Sequence, residues 1–238
     1  MRVKEFLKHR GEFFLDAGSG SIPLPEYLEY SSGYKWRVCL DFSRKALIEA
    51  RPKAKGHGLY VLSDVTKLPF KDDVFEATVA LHVLYHVPED EQKSAVVEIH
   101  RTMKPGSRCV ILYSWFPIPN RIVRKLQEST FALKIWRKIL QTPEENEVRP
   151  LYFYAHDYKW FERNFLHQDG WDVSIRCWRS VDSILTRALV PGNFLGHYLM
   201  RLIFRFETVL PNTLARIGRF PMIIIHKRHQ EPTAAQEN

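Results

Sequence analysis

Phe13-Phe14-Leu15-Asp16-Ala17-Gly18-Ser19-Gly20-Ser21 decides the fold: a short apolar run, then an acid, then two spaced glycines. The run reads as a strand feeding a tight turn of small residues. Glycines at that place let the backbone reach positive φ and let a ligand approach main-chain N–H groups, as nucleotide-binding α/β folds require. Two glycines alone are weak evidence, because a ligand-free strand-to-helix turn accounts for them equally well.

The segments that follow shift the balance. Trp36-Arg37-Val38-Cys39-Leu40-Asp41 is a second apolar run ending in an acid, at the distance where dinucleotide-type folds place a ribose-binding carboxylate. Leu59-Tyr60-Val61-Leu62-Ser63-Asp64 is a third. Parallel strands with these ends would put all three acids along one sheet edge, where such folds bind ligands.

The order LDAGSG, VCLDFSRKAL, SDVTKLPFKDDVFEATVALHVLYHVP and EIHRTMKPGSRCVIL resembles the Rossmann-like, class I S-adenosylmethionine-dependent methyltransferases. It is most similar to the small-molecule type that includes ubiquinone-biosynthesis methyltransferases, and the likeness runs from about residue 13 to 113. The resemblance implies a transferase with S-adenosyl-L-methionine as cofactor; no CxxC pair or Cys/His cluster at metal spacing appears in the sequence, so no metal is expected. Asp16, Gly18 and Gly20 would line the methionine end of that cofactor, Asp41 would hold the ribose, and Asp64 with the Val65 N–H would read the adenine. Ser19, Phe42, Leu81 and His82 complete the cofactor-binding set. One departure stands out: Ile22 and Pro23 occupy the place of the loop's usual third glycine and its neighbour.

A chain of 238 residues with 45% apolar content can bury one sizeable core, so one domain with insertions (1–238) is expected. Its cofactor-binding half would be 11–114 and its substrate-side half 115–229. Cys39, Cys109 and Cys177 are widely spaced and read as buried thiols of a reducing compartment. No signal core opens the chain and no segment reaches the ~18 apolar residues of a membrane span, which places the chain in the cytoplasm. The net charge of +8 is uneven: residues 1–100 carry 14 Lys/Arg and 15 Asp/Glu, residues 101–238 carry 21 and 12. That asymmetry points to an anionic partner or to a solvated basic face.

Punctuation along the chain gives a short helix at Pro25–Tyr30, a helix Arg44–Arg51 capped by Ser43, and a strand Phe75–Leu81. A helix from Pro88–Asp90 to about Met103, a turn at Lys104-Pro105-Gly106 and a strand Arg108–Tyr113 follow. The alternation predicts a doubly wound α/β fold: a seven-stranded, mostly parallel sheet with the last strand antiparallel. Helical insertions follow strand five and separate strands six and seven. Farther on, a basic helix Arg121–Leu140, a loop Thr142–Pro150, a helix Tyr158–Gln168 and strands Trp171–Trp178 and Met222–Lys227 are expected, with a polar tail from Gln230. Between the last two strands, in 179–221, Leu195, Leu199, Leu202, Ile203, Phe206 and Leu210 recur at helical spacing beside Arg201 and Arg205. That helix either caps the acceptor pocket with its apolar face inward or makes peripheral contact with a membrane surface.

Methyl transfer from a sulfonium is an in-line displacement, so alignment and exclusion of water dominate, with a base needed only where the acceptor must lose a proton. His86 is the candidate catalytic base, because imidazole titrates near neutral pH; the competing reading is that it orients the following helix. Tyr85, Tyr113, Trp115, Tyr154 and His156 are candidate acceptor-lining residues, and Asp157 is equally an N-cap. The expected activity is methyl transfer to a small-molecule or lipid- or sugar-linked acceptor, anionic or amphipathic in character. An RNA methyltransferase and a catalytically inactive methyltransferase-like scaffold are the alternatives. Nucleic acid is disfavoured, since no Asn-Pro-Pro-Tyr-like tetrapeptide follows strand four and no RNA-binding module is recognisable.

Overall fold

The computed structural model describes residues 2–7, 10–115, 151–181 and 194–229. Its centre is a seven-stranded sheet: β1 (Gly11–Ala17), β2 (Tyr34–Asp41), β3 (Gly58–Leu62), β4 (Phe75–Leu81), β5 (Met103–Leu112), β6 (Trp171–Arg179) and β7 (Phe220–Lys227). The strand order is β3-β2-β1-β4-β5-β7-β6. Every pairing is parallel except the two that β7 makes, with β5 and with β6. The chain winds outward from β1 to β3, then restarts with β4 on the other side of β1. The crevice between the ends of β1 and β4 is therefore the switch point where such sheets bind ligands.

Burial on both faces explains the near-continuous apolar strands. On one face Leu15, Val38, Leu40, Ala80, Ile111 and Ile223 pack under α2 (Gln92–Thr102), α3 (Tyr158–Phe165) and α5 (Pro211–Ile217). On the other, Phe14, Val79, Val110 and Ile224 meet Val3 and Leu7, which flank the 3₁₀ turn Lys4–Phe6, and Tyr30 of the 3₁₀ helix Pro25–Ser31. Helix α1 (Arg44–Ala50) closes a third cluster with Ile22 and Cys39. Helix α4 (Phe194–Val209) precedes α5 at the β6 edge.

The helix expected at Pro25–Tyr30 is a 3₁₀ helix, Pro25–Ser31; only seven residues leave little for an i→i+4 ladder. Ser43 caps α1, accepting from the Ala46 N–H at 3.3 Å. Pro88–Glu91 forms a turn rather than the first turn of α2, which begins at Gln92. The expected turn at Lys104–Gly106 lies within β5 as a bulge: Phe75 faces Met103 while Ala77 already faces Arg108, and Gly106 takes φ +74°. Strand β3 stops at Leu62, leaving Asp64 in the loop beyond it. The helix expected to reach Gln168 ends at Phe165. The insertion between β6 and β7 carries α4 and α5. The expected basic helix Arg121–Leu140, the loop Thr142–Pro150 and the tail from Gln230 lie outside the described residues. The three cysteines are free and buried, with burial pushing their thiols up.

Candidate functional site

The glycine loop rises from β1 at the switch point. Gly18 takes φ +71°, and a Cβ there would sit 2.2 Å from the Val83 side chain in the loop after β4. Only glycine allows the two loops to meet that closely. Gly20 also has positive φ, but a Cβ there would meet nothing within 4 Å, so this end of the loop borders open space. Three of the loop's N–H groups are committed within the chain. Gly18 and Ser19 donate to the Leu40 carbonyl at 2.8 and 3.0 Å, and Gly20 donates to Asp41 Oδ2 at 2.8 Å. At these three residues the loop offers close approach rather than free donors.

Asp41 ends β2 beneath that loop, 9% exposed, and its Oδ1 accepts from the Ser43 N–H at 2.8 Å. With both oxygens oriented by N–H groups and a narrow opening to solvent, it is a positioned acceptor for hydroxyls. Phe42, next along the chain, is 76% exposed, a free ring face at the sheet edge. Asp64 is exposed; its Oδ1 takes both the N–H and the hydroxyl of Thr66, each at 2.8 Å. The Val65 side chain is buried beside it.

Asp16 is a different case. It is 3% exposed, and its Oδ2 accepts from Arg37, which is itself fully buried. Arg37 also donates to the Tyr27 carbonyl at 2.8 Å and to the Ser31 hydroxyl at 3.1 Å, with its guanidinium over the Phe14 ring. The candidate ligand acid of β1 is thus also an anchor for the Pro25–Ser31 turn. Sequence reading missed Arg37, because one basic residue in a strand resembles an ordinary outward position.

At the third glycine's place, Ile22 has φ +51°, unusual for a β-branched residue, and its side chain is 1% exposed in the cluster with Cys39, Leu47 and Ala50. Lys53 Nζ donates to the carbonyls of Ser21 and Ile22 and holds the turn.

Beyond β4 the edge becomes aromatic. His82 takes φ +61° and its ring lies 5.4 Å from Trp178, 5.9 Å from Phe220 and 6.2 Å from Tyr85. Burial lowers its pKa to about 4, so the ring is neutral at physiological pH. Trp178 at the end of β6 and Phe220 at the start of antiparallel β7 reach the same edge; neither was a candidate from sequence, since their convergence depends on the reversal of β7. Tyr85 is buried, and its hydroxyl is pushed up to about 12 by that burial.

His86 is half-buried in a 3₁₀ turn, Leu84–His86. Its Nδ1 lies 2.7 Å from the Tyr152 carbonyl. A carbonyl only accepts, so Nδ1 carries the proton, and in the neutral ring Nε2 holds the lone pair. The bond belongs to a wider set that straps residues 152–156 across the post-β4 loop. Tyr154 N–H donates to the Tyr85 carbonyl at 2.8 Å, Gln92 Nε2 to the Tyr154 carbonyl at 2.9 Å, and His156 N–H to the Tyr113 hydroxyl at 3.0 Å. Tyr113, expected to line the acceptor pocket, is fully buried; its hydroxyl donates to Gln92 Oε1 at 2.6 Å, so both its bonding directions are used in the core. Trp115 is 2% exposed against Tyr158 and Phe161. The strap and α3 cover both rings. His156 stacks on Trp160 at 3.8 Å, and together with Glu89, Asp90 and Lys93 they line a surface cleft of about 450 Å³ to which no glycine-loop residue contributes. Asp157 caps α3, accepting from the Trp160 N–H at 2.9 Å. Among the described residues, no group of three or more His, Cys, Asp or Glu side chains is placed to hold a metal.

Comparison with known proteins follows the same outline. Residues 15–111 match a family model described as a methyltransferase domain. The ubiquinone/menaquinone biosynthesis C-methyltransferase UbiE of Desulfotalea psychrophila is 41% identical over 83 residues, 34% of this chain and 33% of that protein. Phosphatidylethanolamine N-methyltransferase of Cereibacter sphaeroides is 30% identical over 119 residues, 47% of this chain and 55% of the relative. The matched stretch thus spans about a third to just over half the length of these two relatives. Among solved structures, Haemonchus contortus phosphoethanolamine N-methyltransferase 2 in complex with S-adenosyl-L-methionine aligns with a TM-score of 0.58 at 13% identity, covering 95% of this chain and 51% of that one. Strand order, switch-point glycine loop and family model converge: residues 15–111 match a methyltransferase domain, set in a sheet of Rossmann-like order.

Proposed function

We propose that the chain transfers a methyl group from S-adenosylmethionine to a small-molecule or lipid-linked acceptor. The observation that carries this reading is the pairing of Gly20 with Asp41: a carboxylate oriented by the loop's own N–H, beside a loop end that opens onto free space. Gly18 brings the loop against Val83, Asp41 would accept the ribose hydroxyls, and the exposed Phe42 ring with Asp64 would bracket the adenine. The bound cofactor supplies an electrophilic methyl group on a sulfonium. The protein's part is to align the acceptor and exclude water.

The neutral, ring-lined wall of His82, Tyr85, Trp178 and Phe220 favours an acceptor with an apolar or planar body. His86 is the proposed base: its Nδ1–H bond to Tyr152 fixes the tautomer that leaves Nε2 free to take a proton. That bond equally serves the strap, so His86→Gln separates the roles by a lost pH dependence of kcat with folding retained. In this reading the whole chain acts as one methyltransferase domain and works in the cytoplasm. Among the described residues, no helix is long and apolar enough to cross a membrane.

Calorimetric titration of S-adenosylhomocysteine into the chain and into Asp41→Ala tests the cofactor site. Saturable binding, weakened about tenfold or more in the variant (about 1.4 kcal/mol), is the expected result. Folded protein that binds nothing overturns the reading. Binding without turnover on any lipid or metabolite extract favours the scaffold alternative, whose observation is Ile22 in place of the loop's glycine.

A further inference from the structure

Helix α4 turns its acid inward with Leu199, Leu202 and Ile203 and leaves several large apolar residues outside. Its sole acid, Glu207, is 1% exposed, whereas Phe194 is 86% and Val209 66% exposed. Glu207 fixes that orientation. Its Oε1 accepts from the N–H and hydroxyl of Ser180, at 2.6 and 2.7 Å, and its Oε2 accepts from Arg2 at 2.8 Å. Arg2 in turn donates to the Trp178 carbonyl at 2.7 Å and ties α4 to the end of β6. A carboxylate this buried persists only where partners satisfy it, and here the partners come from two other elements.

Phe194, Tyr198, Arg201, Arg205 and Val209 recur every three or four residues and share one outward stripe, all of them exposed. With Glu207 turned in, the exposed residues of α4 include two arginines and no acid. Exposed Phe204, Phe206 and Leu210 flank the stripe. Rings and aliphatic groups mixed with guanidinium groups suit the headgroup level of a bilayer, where the rings enter the acyl boundary and the arginines meet lipid phosphates. The helix is about 24 Å long and is backed by the sheet edge, so it would lie flat on such a surface.

We propose that this outward face of α4 docks on an anionic lipid bilayer. The docking is independent of the methyl-transfer reading. Because Ser180 follows the strand end that carries Trp178, the docked face would adjoin the aromatic edge of the sheet.

Co-sedimentation of the full chain with vesicles of phosphatidylcholine plus phosphatidylglycerol, and of phosphatidylcholine alone, tests it. Binding to the anionic vesicles that falls with added salt is expected. Arg201→Gln/Arg205→Gln weakens it roughly thirtyfold, at about 1 kcal/mol per arginine near the surface. Phe194→Ser/Tyr198→Ser weakens it comparably, and both pairs keep the wild-type melting temperature because the side chains are exposed. Trp emission of Phe194→Trp shifts to the blue on the anionic vesicles only. Absence of binding to anionic vesicles at low salt, or equal binding by wild type and both variants, overturns the proposal. So does a vesicle-independent dimer dispersed by Phe194→Ser/Tyr198→Ser, which would make a second copy the occupant.

Discussion

Arg37 of β2 and Asp16 of β1 form an ion pair sealed inside the protein, with side-chain exposures of 0% and 4%. The parallel register sets Asp16 beside Cys39, two residues along from Arg37, so both charged side chains fall on the sheet face that carries Phe14. Burial works against the arginine's charge and Asp16 restores it, with the net effect of raising the Arg37 pKa. Removing one partner strands the other. Arg37→Met is expected to cost about 3–5 kcal/mol in urea unfolding and to free the Tyr27 and Ser31 contacts, whereas Asp16→Asn/Arg37→Met recovers much of the loss. A double variant no better than Arg37→Met would mean that the tie to the Pro25–Ser31 turn, rather than the charge pair, carries the stability.

His82 and His100 predict an acid-side loss of stability that begins above the range of carboxylates. Burial lowers both to about 4 from an ordinary 6.5, with the charges of His86 and Lys227 respectively adding to the effect. The unfolded chain binds each proton near pH 6.5 and the folded chain resists until about pH 4. Stability is therefore fully present above pH 6.5 and falls as pH drops toward 4, by at most about 3 kcal/mol per ring. Glu76 and Glu98 have lowered pKa values, so their contribution is lost only below about pH 4.5. Urea midpoints between pH 7 and 5 isolate the histidines. His82→Phe and His100→Phe should each flatten the slope there, and an unchanged slope in both would contradict the assignment.

Gln92 joins three elements with one amide. Its Nε2 donates to the Val87 and Tyr154 carbonyls, at 3.1 and 2.9 Å, and its Oε1 accepts from Tyr113. Gln92→Leu keeps the volume and leaves those groups unpaired, at about 3 kcal/mol. Hydrogen exchange at the Tyr154 and His156 amides should accelerate well beyond the global change, because these donors hold the strap to the post-β4 loop. Uniform acceleration across the sheet would mean that the strap is secured elsewhere.

Strands β1, β2 and β4 were legible because buried parallel strands are apolar nearly throughout, and Asp16 and Asp41 stand at the ends of two of them, whereas Asp64 lies two residues past the end of β3. The glycine turn and the Ser43 cap were legible for the same local reason. What escaped depended on partners distant in sequence. Arg37 is polar in a strand, yet Asp16 makes it a core residue. Tyr113 and Trp115 looked like pocket walls at a strand end, but a strap about 40 residues later covers them. The apolar spacing of α4 was readable, yet Phe206 and Leu210 of that pattern are exposed, because Arg2 and Ser180 draw Glu207 inward and set the rotation of the helix.

Ile22 poses the last test, since two opposing effects meet at one residue. Its positive φ costs roughly 1–2 kcal/mol that glycine would not pay. Against that, its side chain is 1% exposed among Cys39, Leu47 and Ala50, and emptying such a site costs about 3–5 kcal/mol. The packing term is the larger, so Ile22→Gly should lower stability by about 2 kcal/mol although it restores the residue usual at that place. Loss of the buried anchor also loosens the turn that Lys53 holds, and S-adenosylhomocysteine should bind severalfold more weakly, as measured by calorimetry. Tighter binding in Ile22→Gly would reverse the conclusion: the isoleucine would then be an obstruction of the cleft, and the scaffold reading would gain the support that the packing of Ile22 now denies it.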